Sequence, residues 1–113
     1  MAHFSLHRLS ASNDGRGVKV AATATPGTNV HTTTGREVID IEAYNGDTVD
    51  RELTLEWAGT GTPDNQIKLT IPPKAGLVPV AQGLELAAGL SVAAFAAAAN
   101  VIVLYGRVTR INE

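Results

Sequence analysis

Val38-Ile39-Asp40-Ile41-Glu42-Ala43-Tyr44, Glu52-Leu53-Thr54-Leu55-Glu56-Trp57 and Ile67-Lys68-Leu69-Thr70-Ile71 are three consecutive runs in which apolar and polar residues alternate. A strand sends successive side chains to opposite faces, so such alternation marks strands with one buried and one wet face. Ile39, Ile41, Ala43, Leu53, Leu55, Ile67, Leu69 and Ile71 fall in the apolar phase, and Ile41, Leu53, Leu55, Leu69 and Ile71 are the predicted centre of the core. Asp40, Glu42, Glu52, Thr54 and Glu56 fall in the wet phase. Asn45-Gly46-Asp47 reads as the hairpin turn between the first two runs, and the residues from Gly59 to Asn65 separate the second pair.

The pattern continues on both sides. Residues 3–9 form a first strand, with Phe4 and Leu6 on one face and His3, Ser5 and His7 on the other. A loop from Ser10 to Gly17 follows, turning at Asn13-Asp14-Gly15. Val18, Val20, Ala22 and Ala24 alternate through residues 17–24, and a short Thr-rich strand carries Val30. Pro72-Pro73 ends the third clear run, because prolines supply no ladder donors. Leu77–Val80 reads as a short edge strand with Pro79 inside it, followed by Gly83–Leu86, Leu90–Phe95 and a long last strand, Val101–Ile111. Gly106 marks a bulge or bend in that last strand.

Eight to ten short strands with no internal repeat predict a single domain over residues 1–113. Its class is an all-β, antiparallel two-sheet β-sandwich of the jelly-roll or Greek-key kind. The 44% apolar content supports one packed core, and aromatics at 4% leave that core to Val, Ile, Leu and Ala. Residues 86–105 carry no charge over the length of a membrane span. They are alanine-rich, broken by Gly89, Ser91 and Asn100, and hold two separate alternations, which favours a buried hairpin. A short helix over residues 86–99 is the other reading.

The net charge of −2 comes with scattered basic residues, and no stripe suited to a phosphate backbone emerges. The chain has no cysteine, which excludes disulfides and thiolate metal sites. No secretory signal is evident at Met1–Leu6. His3 and His7, four apart on a strand, lie about 13 Å from each other, too far to share a metal. The acidic residues Glu37, Asp40, Glu42, Asp47, Asp50, Glu52 and Glu56 admit two readings, a calcium site centred on Asp47 and Asp50 or the wet alternates of two strands. Ser5, Ser10, Ser12 and Ser91 lack a nucleophile-elbow setting, and Gly15-Arg16-Gly17 is too short to cradle phosphate. The expectation is therefore no enzyme activity, no catalytic residue, no cofactor and no metal. Trp57 is either a core-edge tryptophan or an interface anchor.

Five stretches carry a resemblance. They are Thr25-Pro26-Gly27-Thr28-Asn29-Val30-His31-Thr32, Leu53-Thr54-Leu55-Glu56-Trp57-Ala58-Gly59-Thr60, Ile71-Pro72-Pro73-Lys74-Ala75-Gly76-Leu77-Val78, Ala93-Ala94-Phe95-Ala96-Ala97-Ala98-Ala99-Asn100-Val101 and Gly106-Arg107-Val108-Thr109-Arg110-Ile111. Together they cover 39 of the 113 residues, about a third of the chain, and resemble small structural proteins of tailed bacteriophages: head decoration (cement) proteins, head-fibre bases, and neck or tail adaptors. The resemblance implies a virion protein assembled in the host cytoplasm, a homo-oligomer, most simply a trimer, that binds the major capsid protein or another virion protein. It implies neither a nucleic-acid nor a membrane partner, and it brings no catalytic residues. Position and charge suggest His3, Phe4, Arg8, Trp57, Arg107 and Arg110 as contact residues. The alternatives are a tail, neck or spike adaptor, a receptor- or carbohydrate-binding module using Trp57 and Tyr44, and a small metal hydrolase or cupin-like enzyme using His3, His7 or His31.

Overall fold

The computed structural model describes residues 3–112. Among them are nine strands and no helix: β1 (His3–His7), β2 (Val18–Lys19), β3 (Thr28–Thr32), β4 (Arg36–Asn45), β5 (Arg51–Trp57), β6 (Gln66–Ile71), β7 (Val78–Leu86), β8 (Ser91–Ala96) and β9 (Ile102–Asn112). All pairings are antiparallel. One sheet runs β1-β9-β4-β7, with β2 alongside β9, and the other runs β3-β8-β5-β6.

The ladders are nested. Arg51 faces Ile71, Ile41 faces Ala81, Thr28 faces Ala94 and Val18 faces Leu104. In each pair the two partners lie equally far along the chain on either side of Gly61. The chain is thus one long two-stranded ribbon with its tip at Gly61, rolled until β4 meets β9 and β5 meets β8. That is the jelly roll, the narrower of the two architectures expected.

The alternation finds the inward face of these strands correctly. Ile39, Ile41, Ala43, Leu53, Leu55 and Ile71 are fully buried, whereas Leu69, on the edge strand β6, is half-buried. The core from Leu9 to Val108 is aliphatic, and the aromatic Phe4 stands 70% exposed. Rolling, however, changes the partners. β4 and β5 lie in different sheets, so Asn45-Gly46-Asp47 is a crossing between layers and not a hairpin turn. Asn45 secures that crossing. Its side-chain amide donates to the carbonyls of Val49 and Ile71, 2.9 Å each, and its Oδ1 accepts the Asp47 amide at 2.9 Å.

Residues 86–105 do not form a hairpin either. They hold β8 and the first part of β9, which belong to opposite sheets, and among the described residues no helix is long and apolar enough to cross a membrane. The buried residues here are Val92, Ala94, Ala96, Ile102 and Leu104.

Other departures have local causes. The strand expected over residues 17–24 shrinks to Val18–Lys19, because the chain then crosses from one sheet to the other. The Val20 amide donates to Ile102, and the Ala22 carbonyl accepts from Ala96. The segments around Pro79 and Gly83 fuse into one edge strand, β7, through two register shifts against β4. Gly106 is no bulge, since the β4–β9 register runs unbroken through it. It marks a close approach: a Cβ there would lie 2.3 Å from the Asp40 carbonyl oxygen.

Leu55 is fully buried at the centre of its sheet. Leu55→Ala should lower stability by about 2–5 kcal/mol, read as a lower urea midpoint at unchanged slope; an unchanged midpoint would contradict the packing.

Candidate functional site

Glu37 is the first inward-facing residue of β4, in phase with Ile39 and Ile41, and it is fully buried. A lone carboxylate in that position would be costly, so it needs partners. It receives them from both sheets. Across the ladder, directly opposite, Arg110 of β9 donates from Nε to Glu37 Oε2 at 3.0 Å. The Thr34 and Gly35 amides donate to the same oxygen at 3.0 and 3.2 Å.

The partner from the other sheet is His31, 2% exposed, whose Nε2 lies 2.6 Å from Glu37 Oε1. A bulge brings it there. The β3–β8 register shifts between Asn29 and His31, so Val30 and His31 are both buried where strict alternation would bury only one. The ring's tautomer follows from its surroundings. Nδ1 faces the Ser10 amide at 2.9 Å and must accept from it, which leaves the proton on Nε2, donated to Glu37.

Burial alone would raise the Glu37 pKa. The hydrogen bonds from His31, from the Thr34 amide and from Arg110 outweigh it and hold the carboxyl at about 2.

An open cleft of about 560 Å³ lies over this cluster, with His7, Arg8, Ser10, Ser12, Thr32 and Arg110 among its walls. Ser10, His31 and Glu37 have the residue types of a hydrolytic triad, but not its wiring. Ser10 meets His31 through its backbone amide, while its Oγ accepts the Thr32 amide at 2.8 Å. The ring nitrogen that a general base needs is therefore already occupied. What the cluster does in this geometry is tie β3 of one sheet to β4 and β9 of the other.

A second carboxylate is used similarly. Glu56, expected on the wet face, is 2% exposed, and Thr54 beside it is 1% exposed. Glu56 accepts from Thr25 Oγ1 at 2.5 Å and from the Gly27 amide at 2.6 Å, so the segment holding those residues is strapped to the sheet. Gly27 fits there because a Cβ would strike the Ala94 backbone at 2.5 Å.

The remaining acidic residues are dispersed. Asp40 accepts the Gly83 amide, and Asp47 accepts the Thr48 amide and the Arg51 guanidinium. The Thr48 amide and then Arg51 hold the Asp47 carboxyl below its ordinary range. Among the described residues, no group of three or more His, Asp or Glu side chains is arranged to hold a metal ion.

Five of the six predicted contact residues come together. His3 and Phe4 lie on β1, Arg8 follows it, and Arg107 and Arg110 lie on β9; β1 pairs with β9 from His3↔Asn112 to His7↔Val108. His3, Phe4, Arg8 and Arg107 are exposed, and Arg107 lies 3.6 Å from Asp40. Arg110 differs: its side chain is 27% exposed and is committed to Glu37. Trp57 stands in the other sheet, opposite Val92, half-buried against the core. In comparisons with protein families, characterised proteins and solved structures, nothing matches this chain.

The Glu37 pKa falls from 4.5 to about 2 on folding. A depressed carboxylate contributes stability that is fully present above its unfolded pKa and lost as pH falls through the folded one. Between pH 4.5 and 2 the wild type should lose up to about 3 kcal/mol from this group. Glu37→Gln should lack that component, read as the difference between the two proteins' urea midpoints across the window; parallel pH profiles would contradict it.

Proposed function

We propose that the protein is a structural component of a tailed-bacteriophage virion, a decoration protein that binds the head surface and braces neighbouring capsid subunits. The observation that carries this reading is how the buried and half-buried polar groups are used. His31, Glu37, Arg110, Asn45 and Glu56 are all spent on holding strands and segments together, and a buried, fully bonded polar network rigidifies a fold. A brace needs rigidity and an adhesive outer surface.

The sheet containing β1 and β9 supplies such a surface. Phe4 and Leu6 stand 70% and 78% exposed, and Tyr105 and Arg107 are also exposed. Aromatic and arginine side chains are the usual anchors of protein interfaces. The partner is the major capsid protein, the location is the virion after assembly in the host cytoplasm, and the copies on the head follow its three-fold lattice positions. Repeated contacts then multiply a modest affinity per site. Nucleic acid and membrane have no part in this reading.

Mixing purified protein with undecorated heads and sedimenting them tests it. The protein should pellet with the heads and raise their resistance to heat, and Phe4→Ala or Arg107→Ala should weaken pelleting about fivefold or more. Protein that stays in the supernatant overturns the head assignment.

A further inference from the structure

Each sheet of an open sandwich ends in strands whose outer backbone groups are unpaired, and such edges usually carry a guard against pairing with other chains. Among the described residues, three of the edges have one. β7 carries Pro79 and two register shifts. β6 carries the exposed Lys68 and runs into Pro72. β3 is bulged. β1 has no guard: it contains no proline, lysine, arginine or acid, and its register with β9 is unbroken. It also presents Phe4 and Leu6, the two most exposed large apolar side chains among the described residues.

The sequence of this edge matches itself. His3-Phe4-Ser5-Leu6-His7 keeps the same pattern of histidine, apolar, serine, apolar, histidine when read in either direction. Placed antiparallel about a two-fold axis at Ser5, two copies set His3 opposite His7, Phe4 opposite Leu6 and Ser5 opposite Ser5. Apolar side chains then meet on one face and the edge backbone of both copies is paired. A slip of one residue sets Phe4 against Ser5 and mismatches the faces, and a slip of two shortens the ladder from five residue pairs to three.

We propose that β1 is a homodimerisation edge, pairing with β1 of a second copy of this chain in that register to join the two sheets into one. The contact is isologous, so it closes at two copies. It stands on β1 alone, whichever surface the protein decorates; on a head it would link copies in neighbouring clusters. One strand edge is a small interface, which puts its Kd in the range of about 10 μM to 1 mM.

Sedimentation velocity over a concentration series tests the association, and two double variants test the register. Phe4→Lys with Leu6→Lys places like charges opposite each other and should weaken dimerisation about tenfold or more. Phe4→Lys with Leu6→Glu removes the same apolar surface but sets opposite charges face to face across the axis. It should return the Kd to within about threefold of wild type. Both sites are exposed, and circular dichroism checks that each variant retains its strands. In a chain without cysteine, Ser5→Cys should form a disulfide-linked dimer on mild oxidation, since facing residues in an antiparallel pair are close enough to bridge. A wild type that stays monomeric to about 1 mM, or that forms trimers in solution, overturns the proposal. So does a Lys–Glu variant as weak as the Lys–Lys one.

Discussion

Because Val18 meets Leu104 and Arg51 meets Ile71 at equal distances from Gly61, one ribbon alignment, offset by a residue at the irregularities of β3–β8 and β4–β7, governs most of the molecule. In a two-layered sheet fold, sliding a strand by one residue sends its whole apolar set to the solvent face. Holding the ribbon in this alignment keeps Ile39, Ile41 and Ala43 of one sheet and Leu53, Leu55 and Val92 of the other in one shared core, and all six are fully buried. It also decides what stands at the two ends of β4's inner face: Glu37 at one, Asn45 at the other. Both are buried polar groups, and both reach elements outside their own sheet.

The Glu37 cluster is the more demanding of the two. Removing one partner from a buried charge pair costs about 3–5 kcal/mol, since the other charge is left unsatisfied. Such a pair contributes uniqueness of structure more securely than net stability, because an apolar replacement can be as stable. In this fold the uniqueness concerns how the ribbon closes. His31 comes from the outermost strand of one sheet, and Arg110 from the long strand that joins β1 to β4 in the other. Only the rolled arrangement brings them to the same carboxylate, and the β3 bulge supplies the one-residue phase change that His31 requires.

Local periodicity made the strands legible in the sequence, because each strand's alternation reports its own faces. Partners were not legible. Asn45-Gly46-Asp47 has hairpin chemistry, yet it joins strands in opposite sheets, since pairing in a jelly roll is set by distance from the ribbon tip and not by adjacency. The burial of His31 was not legible, because strict alternation from Val30 puts it in solvent and a bulge leaves no compositional mark. Glu37 did leave a signal: it shares the phase of Ile39 and Ile41, and a carboxylate in a buried phase calls for a cation or a set of donors. Alternation puts Glu56 in the wet phase because the segment strapped onto it, holding Thr25 and Gly27, lies far away in sequence. The β1 edge was legible as a strand, while its exposure became visible only once β9 had taken one side and, among the described residues, no strand the other.

The account rests on His31, Glu37 and Arg110 being structural ties and not reactive groups. Proton–nitrogen correlation spectroscopy of the His31 ring near neutral pH tests this most directly. The structure predicts one tautomer: a proton on Nε2, slow to exchange because Glu37 holds it in the interior, and an unprotonated Nδ1 accepting from the Ser10 amide. A ring carrying its proton on Nδ1, or one whose Nε2 proton exchanges freely with water, would contradict it.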